Sequence, residues 1–247
     1  MVLQNSLNMK QKLTPELAEH YKSGVLYDKD YQVVYVKCLT PELARIVAHI
    51  CGDGYVLIYN KRRNEKELAI HPRINKIRKI YSIRYVNKED ALVKQFVHDV
   101  KKEFDRKVVS LKKHEHEVSG KRIYSLLTYL GAAKSFTWFI SEHIINASDN
   151  IRIEWLKAFF DDESHVSLRN KRIVLNMVNK KGLEQVQALL KDFDIKSTLN
   201  GPYKCRQFFS YHLNIYRTSV REYAKSIGFY HPKKRKYLQI MINSLKK

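Results

Sequence analysis

Cysteine is nearly absent: Cys38, Cys51 and Cys205 are the only three, widely separated, and no Cys-x-x-Cys occurs among them. So odd and scattered a set excludes a disulfide framework and a cysteine-ligated zinc site. No apolar run approaches the roughly 18–20 residues that a membrane span needs. The N-terminal region also lacks the apolar core of a secretion signal. Acids are the other shortage, with 25 Asp+Glu against 46 Lys+Arg and a formal net charge of +21. The expectation is a soluble, cytoplasmic protein without a membrane span that attracts polyanions. Nucleic acid is the first partner expected, and an anionic membrane surface the second. A membrane binder would need a basic amphipathic helix, and none stands out.

What is present is enough for a folded core. The 247 residues suit one large domain or two small ones. Hydrophobic residues at 44% and aromatics at 11% exclude disorder driven by charge. The positive excess is not a tail. Residues 151–247 carry 20 Lys+Arg against 8 Asp+Glu, and residues 1–150 carry 26 against 17. Both halves are basic, as a long footprint built by the whole fold requires.

The same order of features occurs twice. Thr40-Pro41-Glu42-Leu43 opens a helix with a Thr cap, Pro at the first helical position and an acid in the first turn. That helix stops at Asp53-Gly54, and Tyr55–Tyr59 reads as a strand. In the second half Asp149 or Asn150 can cap a helix over Ile151–Asp162, which ends at Glu163-Ser164 before the strand-like His165–Leu168. Ile83–Lys88 leads into a helix over Ala91–Phe104, and Leu175–Lys180 into one over Leu183–Phe193, with Val-Asn-Lys at both junctions. Further strands are expected at Val108–Leu111, Arg122–Leu126, Ser197–Leu199 and Phe208–Tyr216. Closing helices are expected around Leu126–Leu130, Trp138–Ile144, Ser219–Ile227 and Lys236–Leu245. The first half carries about 18 extra residues within Lys61–Lys79. The organisation expected is an extension over residues 1–39, a first α+β repeat over 40–146 and a second over 147–247.

An acid at a helix C-terminus faces the negative end of the helix dipole, which is unfavourable by about 0.3–1 kcal/mol. A bound cation reverses that sign. Asp53 and Glu163 occupy the same place in two helices, and packing the helices side by side brings the carboxylates together. Repelling carboxylates are commonly compensated by Mg²⁺, a hard ion that keeps water ligands and accepts a phosphate oxygen. Ala48, Gly52 and Ala158 supply the small residues for a close helix contact. A lone acid of this kind is better read as a turn or a solvated cluster. Two at repeated positions in so basic a chain point to metal.

Ile46-Val47-Ala48-His49-Ile50-Cys51-Gly52-Asp53-Gly54 and Leu156-Lys157-Ala158-Phe159-Phe160-Asp161-Asp162-Glu163-Ser164 resemble the paired motifs of LAGLIDADG homing endonucleases in their single-chain, two-repeat form. Asn179–Leu190, Ser226–Lys234 and Gly131–Ser135 resemble further family passages, so the likeness runs from Thr40 to the C-terminus. The resemblance implies an αββαββα core in each repeat. It also implies a saddle of antiparallel sheets over the DNA major groove and motif helices at the repeat interface. The activity implied is monomeric, intron-encoded, site-specific hydrolysis of both DNA strands with short 3′ overhangs. Mg²⁺ would be held by Asp53 and Glu163, with Mn²⁺ as a substitute. Lys134 and Lys234 match the basic positions expected beside the site. An intein origin is disfavoured, since no flanking splicing blocks are seen and the chain starts at Met1.

The motifs also depart from the family pattern. Asp162 and Ser164 stand where a small residue and Gly are common, and Cys51 where an acid or apolar residue is common. For Asp162 three readings are open: facing solvent, assisting the metal, or marking lost cleavage. His49 reads as a packed or hydrogen-bonded histidine rather than a ligand. The alternative function is a non-cleaving nucleic-acid binder of the same fold, such as an RNA maturase or a decayed regulator, with RNA as a further partner.

Strands in a major groove present alternate side chains to base edges. Candidate DNA contacts are Lys61, Arg62, Arg63, Arg73, Lys76 and Arg78 after the first motif, Arg169, Lys171 and Arg172 after the second, and Lys204 and Arg206 at a later tip. Lys233–Lys236 suits backbone phosphate. His114-x-His116 reads as a solvated turn, and Trp138 and Trp155 as core on helical faces. Before residue 40, a helix over Pro15–Lys22 and a strand over Gln32–Lys37 are expected.

Overall fold

The computed structural model describes residues 21–70, 73–205 and 207–245. Residues 15–20 of the expected N-terminal helix and Arg206 lie outside them. Strands β1 (Val25–Tyr27) and β2 (Val33–Val36) form a small antiparallel hairpin ahead of helix α1 (Pro41–Cys51). Then follow β3 (Gly54–Arg62), α2 (Glu65–Ile70), β4 (Ile77–Val86), α3 (Asp90–Phe104), β5 (Val109–Ser110), β6 (Glu115–Ser119), α4 (Lys121–Tyr129) and the short α5 (Glu142–Ile145). The second half contains α6 (Asp149–Glu163), β7 (Ser164–Ser167), β8 (Arg172–Met177), α7 (Lys180–Asp192), β9 (Ser197–Cys205), β10 (Phe208–Tyr216), α8 (Arg217–Ser226) and α9 (Pro232–Ser244). The strands make two four-stranded antiparallel sheets of like topology, β3-β4-β6-β5 and β7-β8-β10-β9. The fold is therefore α+β, with two antiparallel sheets as expected. Among the described residues no helix is long and apolar enough to cross a membrane.

Local sequence accounts for the helix starts. The Thr40 side chain accepts from the Leu43 N–H at 3.1 Å and its hydroxyl donates to Glu103 Oε2 at 2.6 Å. Asn179 caps α7 by accepting from the Gly182 N–H at 3.0 Å. Asn64 and Glu67 form a reciprocal capping box at the head of α2, each side chain accepting from the other's backbone N–H. This short helix fills the first half's insertion. β3 and β4 pair from Gly54↔Tyr85 to Arg62↔Ile77, whereas β7 and β8 pair only from Ser164↔Leu175 to Ser167↔Arg172.

One strand lies elsewhere than expected. Arg122–Leu126 is helical, inside α4, because Ile123, Leu126, Leu127 and Leu130 recur at helical spacing and are all buried. The strand is instead β6, in the polar run read as a turn around His114 and His116. Its charges disguise it: Glu115 and Glu117 bond to Arg84 on β4 at 3.0 and 3.5 Å. The helix expected over Trp138–Ile144 shrinks to α5. Residues 138–140 cross to the second half, where the Trp138 carbonyl accepts from Asn179 at 2.6 Å and Ile140 exchanges two bonds with Gln185. Trp138 and Trp155 are core as expected, both flanking the Phe159 ring at 4.9 Å, though Trp138 lies in a loop.

Helix α1 is buried from Leu43 through Cys51, polar members included. It packs on α6 more extensively than on any other helix. Ala48 and Ala158 have no exposed surface, and a Cβ on Gly52 would lie 2.9 Å from Asp162 Cβ. An all-buried helix must satisfy each of its polar groups. Arg45 does so by a two-pronged bond to Asp99 on α3 (2.7 and 2.8 Å) and a 2.6 Å bond to Glu154 on α6. Tyr230 donates to the same Glu154 carboxylate at 2.7 Å. Removing one member of a buried ion network strands its partners, at about 3–5 kcal/mol. Arg45→Ala should lower unfolding free energy by that order in chemical denaturation; a loss no larger than a surface substitution would disprove the role.

Candidate metal centre at the helix junction

Asp53 follows α1 and Glu163 ends α6, so the α1–α6 packing brings the two carboxylates into one region. A Cβ on Gly52 would stand 3.4 Å from Glu163 Cγ. Gly54 is required by close approach, since a Cβ there would meet Ile50 Cα at 2.6 Å and the Arg84 carbonyl at 2.9 Å. At the matching position Ser164 fits, its hydroxyl donating to the Phe160 carbonyl at 2.6 Å. The replacement of Gly at that position therefore leaves the end of α6 tied down.

The electrostatics of the pair are unfavourable without a counter-ion. Burial, reinforced by Asp162, pushes Asp53 up to about 6. Burial, reinforced by Asp53 and Asp162, pushes Glu163 up to about 8. Asp53 accepts one bond, from Asn87 Nδ2 at 3.1 Å; among the described residues none donates to the Glu163 carboxylate. Lys234 Nζ lies at the end of α6, donating to the carbonyls of Phe160 (3.1 Å) and Asp161 (2.5 Å). Burial lowers its pKa while the surrounding acids, Asp53 and Glu163 among them, oppose that shift. The four groups Asp53, Glu163, Asn87 and Lys234 therefore share one centre.

The neighbouring motif positions are structural. Asp161 accepts from the backbone N–H groups of Tyr230 and His231, both at 2.9 Å, and so anchors the turn that leads into α9 and its Lys234. Cys51, its counterpart, contacts the Gly131 carbonyl at 3.7 Å in the turn that carries Lys134. Lys134 itself is exposed, and among the described residues its side chain bonds to neither acid. Asp162 does not face solvent: its side chain has no exposed surface and accepts from His49 Nδ1 at 2.8 Å. His49 is hydrogen-bonded, as expected. Burial alone would lower its pKa, but Asp162 raises it overall.

Among the described residues no three or more His, Cys, Asp and Glu side chains form a ready-made metal cage. The donor set is two adjacent carboxylates, one of them without a donor. That fits Mg²⁺, which keeps several waters and takes phosphate oxygens as remaining ligands.

Known structures share this arrangement of sheets and helices. A mesophilic variant of the homing endonuclease I-DmoI superposes with a TM-score of 0.56 at 21% identity, over 76% of this chain and 94% of that one. I-DmoI in complex with DNA and Ca gives 0.56 at 19% identity, over 81% and 97% of the two chains. The complex of I-DmoI with DNA and Mn gives 0.55 at 19%, over 76% and 96%. The chain has the LAGLIDADG fold. The family model described as a LAGLIDADG-like domain matches residues 150–228, and no curated protein sequence matches the chain.

On the LAGLIDADG fold the basic candidates divide into three sorts. Lys61 and Arg62 at the end of β3, Arg73, Lys76, Arg169 and Lys204 are exposed. Lys171, in the β7–β8 turn, and Arg172, at the start of β8, are half-buried. Two others are engaged within the protein: Arg63 Nε donates to the Asn75 carbonyl at 3.0 Å and Arg78 pairs with Glu67 at 3.2 Å. In the sequence Asn87 stands out only as part of a recurring Val-Asn-Lys. That recurrence was the usable signal, yet its twin Asn179 turns away to the Trp138 carbonyl.

Asp53 and Glu163 hold protons in the folded chain at pH values where the unfolded chain has released them. Asp161, pushed up to about 7 by burial against its two backbone bonds, acts in the same direction. Stability from such groups is full below their unfolded pKa values and is lost as pH rises through the folded ones. In chelator the melting temperature should therefore fall between about pH 5 and 8, with a shallower slope for Glu163→Gln, which cannot ionise. Parallel slopes for the two proteins would exclude Glu163 as a source of the effect.

Proposed function

We propose that the chain is a site-specific double-stranded DNA endonuclease whose divalent metal is held by Asp53 and Glu163. The observation that carries this reading is the convergence of these two carboxylates and Lys234 where the buried motif helices meet, in a chain of net charge +21. Two adjacent, partly desolvated acids are costly in a protein that only binds a polyanion, because they repel its phosphates. The complexes of I-DmoI with DNA and Mn or Ca support duplex DNA and a divalent ion as partners.

The reaction adds water across a phosphodiester: a water oxygen bonds to phosphorus, the P–O3′ bond breaks and the leaving oxygen takes up a proton. Bound Mg²⁺, or Mn²⁺ in its place, would supply Lewis-acid polarisation and charge neutralisation at the phosphate. Asp53 and Glu163, one from each half, would hold that ion. Lys234, held by the α6 carbonyls, brings positive charge to the phosphate undergoing attack. The exposed Lys61, Arg62, Arg169 and Lys204 bind phosphates and base edges along the two sheets, making affinity steeply salt-dependent. One chain supplies both halves of the site, so a monomer suffices.

The test is a duplex recovered by selection from a randomised pool, incubated with Mg²⁺ or with chelator. Mg²⁺-dependent double-strand breaks at one position are expected. Asp53→Asn and Glu163→Gln should each abolish cutting while sparing binding in chelator. Specific binding without any break would move the protein to the non-cleaving class, and full activity in either variant would refute the metal assignment.

A further inference from the structure

Asp162 occupies, in the second motif, the position that Gly52 occupies in the first. It is a buried charge where helix packing otherwise favours the smallest side chain, and both of its oxygens are taken. Oδ2 accepts from His49 Nδ1 at 2.8 Å; Oδ1 accepts from the Tyr85 hydroxyl at 2.7 Å and from Asn87 Nδ2 at 3.2 Å. All three donors belong to the first half, from α1 and the end of β4. Gly52 leaves the room, for a Cβ there would touch Asp162 Cβ at 2.9 Å and Oδ2 at 3.2 Å.

Asn87 carries the contact further. The same Nδ2 that meets Asp162 lies 2.9 Å from the Tyr85 hydroxyl and 3.1 Å from Asp53 Oδ2. Its Oδ1 is fixed by the Glu89 N–H at 2.9 Å, which sets the amide's orientation. A continuous path therefore runs from Asp162, next to Glu163 on α6, through Asn87 to Asp53. Among the described residues Glu163 has no such partner, and Asn179 is committed to the Trp138 carbonyl and the Gly182 N–H.

We propose that Asp162 is a positioning residue: bonded to His49, Tyr85 and Asn87, it sets the placement of Asp53 relative to Glu163 across the helix junction. Both of its oxygens hold donors from the first half, and its effect on the centre runs through those bonds. The inference rests on the nuclease reading and refines the site. At Asp162 the departure from a small residue serves the centre.

The test compares Asp162→Gly, Asp162→Asn and Asn87→Ala in the full chain with wild type. One readout is the single-turnover cleavage rate on the selected duplex; another is Mn²⁺ affinity of the DNA-bound protein, from titration of free Mn²⁺; DNA affinity in chelator is the control. Loss of a group that orients a metal ligand costs about 10–100-fold in metal affinity or activity. Asp162→Gly and Asn87→Ala should lose at least about tenfold in both rate and Mn²⁺ affinity, with DNA affinity in chelator changed less than about threefold. Asp162→Asn keeps an acceptor for Tyr85 and Asn87 and offers its amide to a neutral His49, so it should recover most of the loss. A purely structural role would lower DNA affinity in step with the rate and give no such rescue. Should Asp162→Gly not fold, Asn87→Ala carries the same expectation. Wild-type rate and Mn²⁺ affinity in Asp162→Gly or Asn87→Ala, or Asp162→Asn as impaired as Asp162→Gly, overturns the inference and leaves the nuclease reading standing. A wild type that binds the duplex but neither cuts it nor takes up Mn²⁺ overturns both.

Discussion

The close contact of α1 with α6 is the constraint on which the rest depends. Each helix ends in an acid, and each must come near enough to the other for the acids to share one centre. Close packing requires small or specially accommodated side chains along the seam, and Ala48, Ala158 and Gly52 provide them. Complete burial of α1 then compels Arg45 and His49 to find charged partners, which they do on α6 and α3. The interface between the halves is therefore polar at chosen points within an apolar seam. Those points locate the carboxylates as well as joining the halves.

Much of the frame was legible because its signals are local. Thr40-Pro41 announced α1, and Phe208–Tyr216 is a strand with the expected bounds. Pairing of Asp53 with Glu163 could be read from the repeat alone. Failures came where tertiary pairing overrides composition. β6 is charged because Glu115 and Glu117 face Arg84 across the sheet, so a run that resembles a solvated turn is a strand. Trp138 is core without itself lying on a helix, held instead by the second half.

The chemistry of the site was half legible, for a similar reason. An acid at a helix end is visible in one dimension, whereas the group that orients it is not. Asn87 lies 34 residues beyond Asp53, at the far end of the long β3–β4 hairpin, and only the register Gly54↔Tyr85 brings it back. Asp162 looked like a flaw because sequence shows the small residue it replaces and hides the His49, Tyr85 and Asn87 that receive it. The two halves share a topology yet differ at these places, so near-symmetry of the backbone carries an asymmetric set of polar contacts.

Arg45 and His49 are one helical turn apart on α1, about 6 Å along the axis, and their partners Glu154 and Asp162 are eight residues apart on α6, about 12 Å. A single pin between two crossing rods leaves them free to scissor; two pins at separate points do not. The crossing angle of the helices, and with it the relative tilt of the two sheets, is fixed in the folded chain. On the nuclease reading, a duplex laid across both sheets would do the bending itself, and bending some 20–30 base pairs costs roughly 1–6 kcal/mol. Sequences that bend easily would then be favoured even at base pairs that no side chain touches.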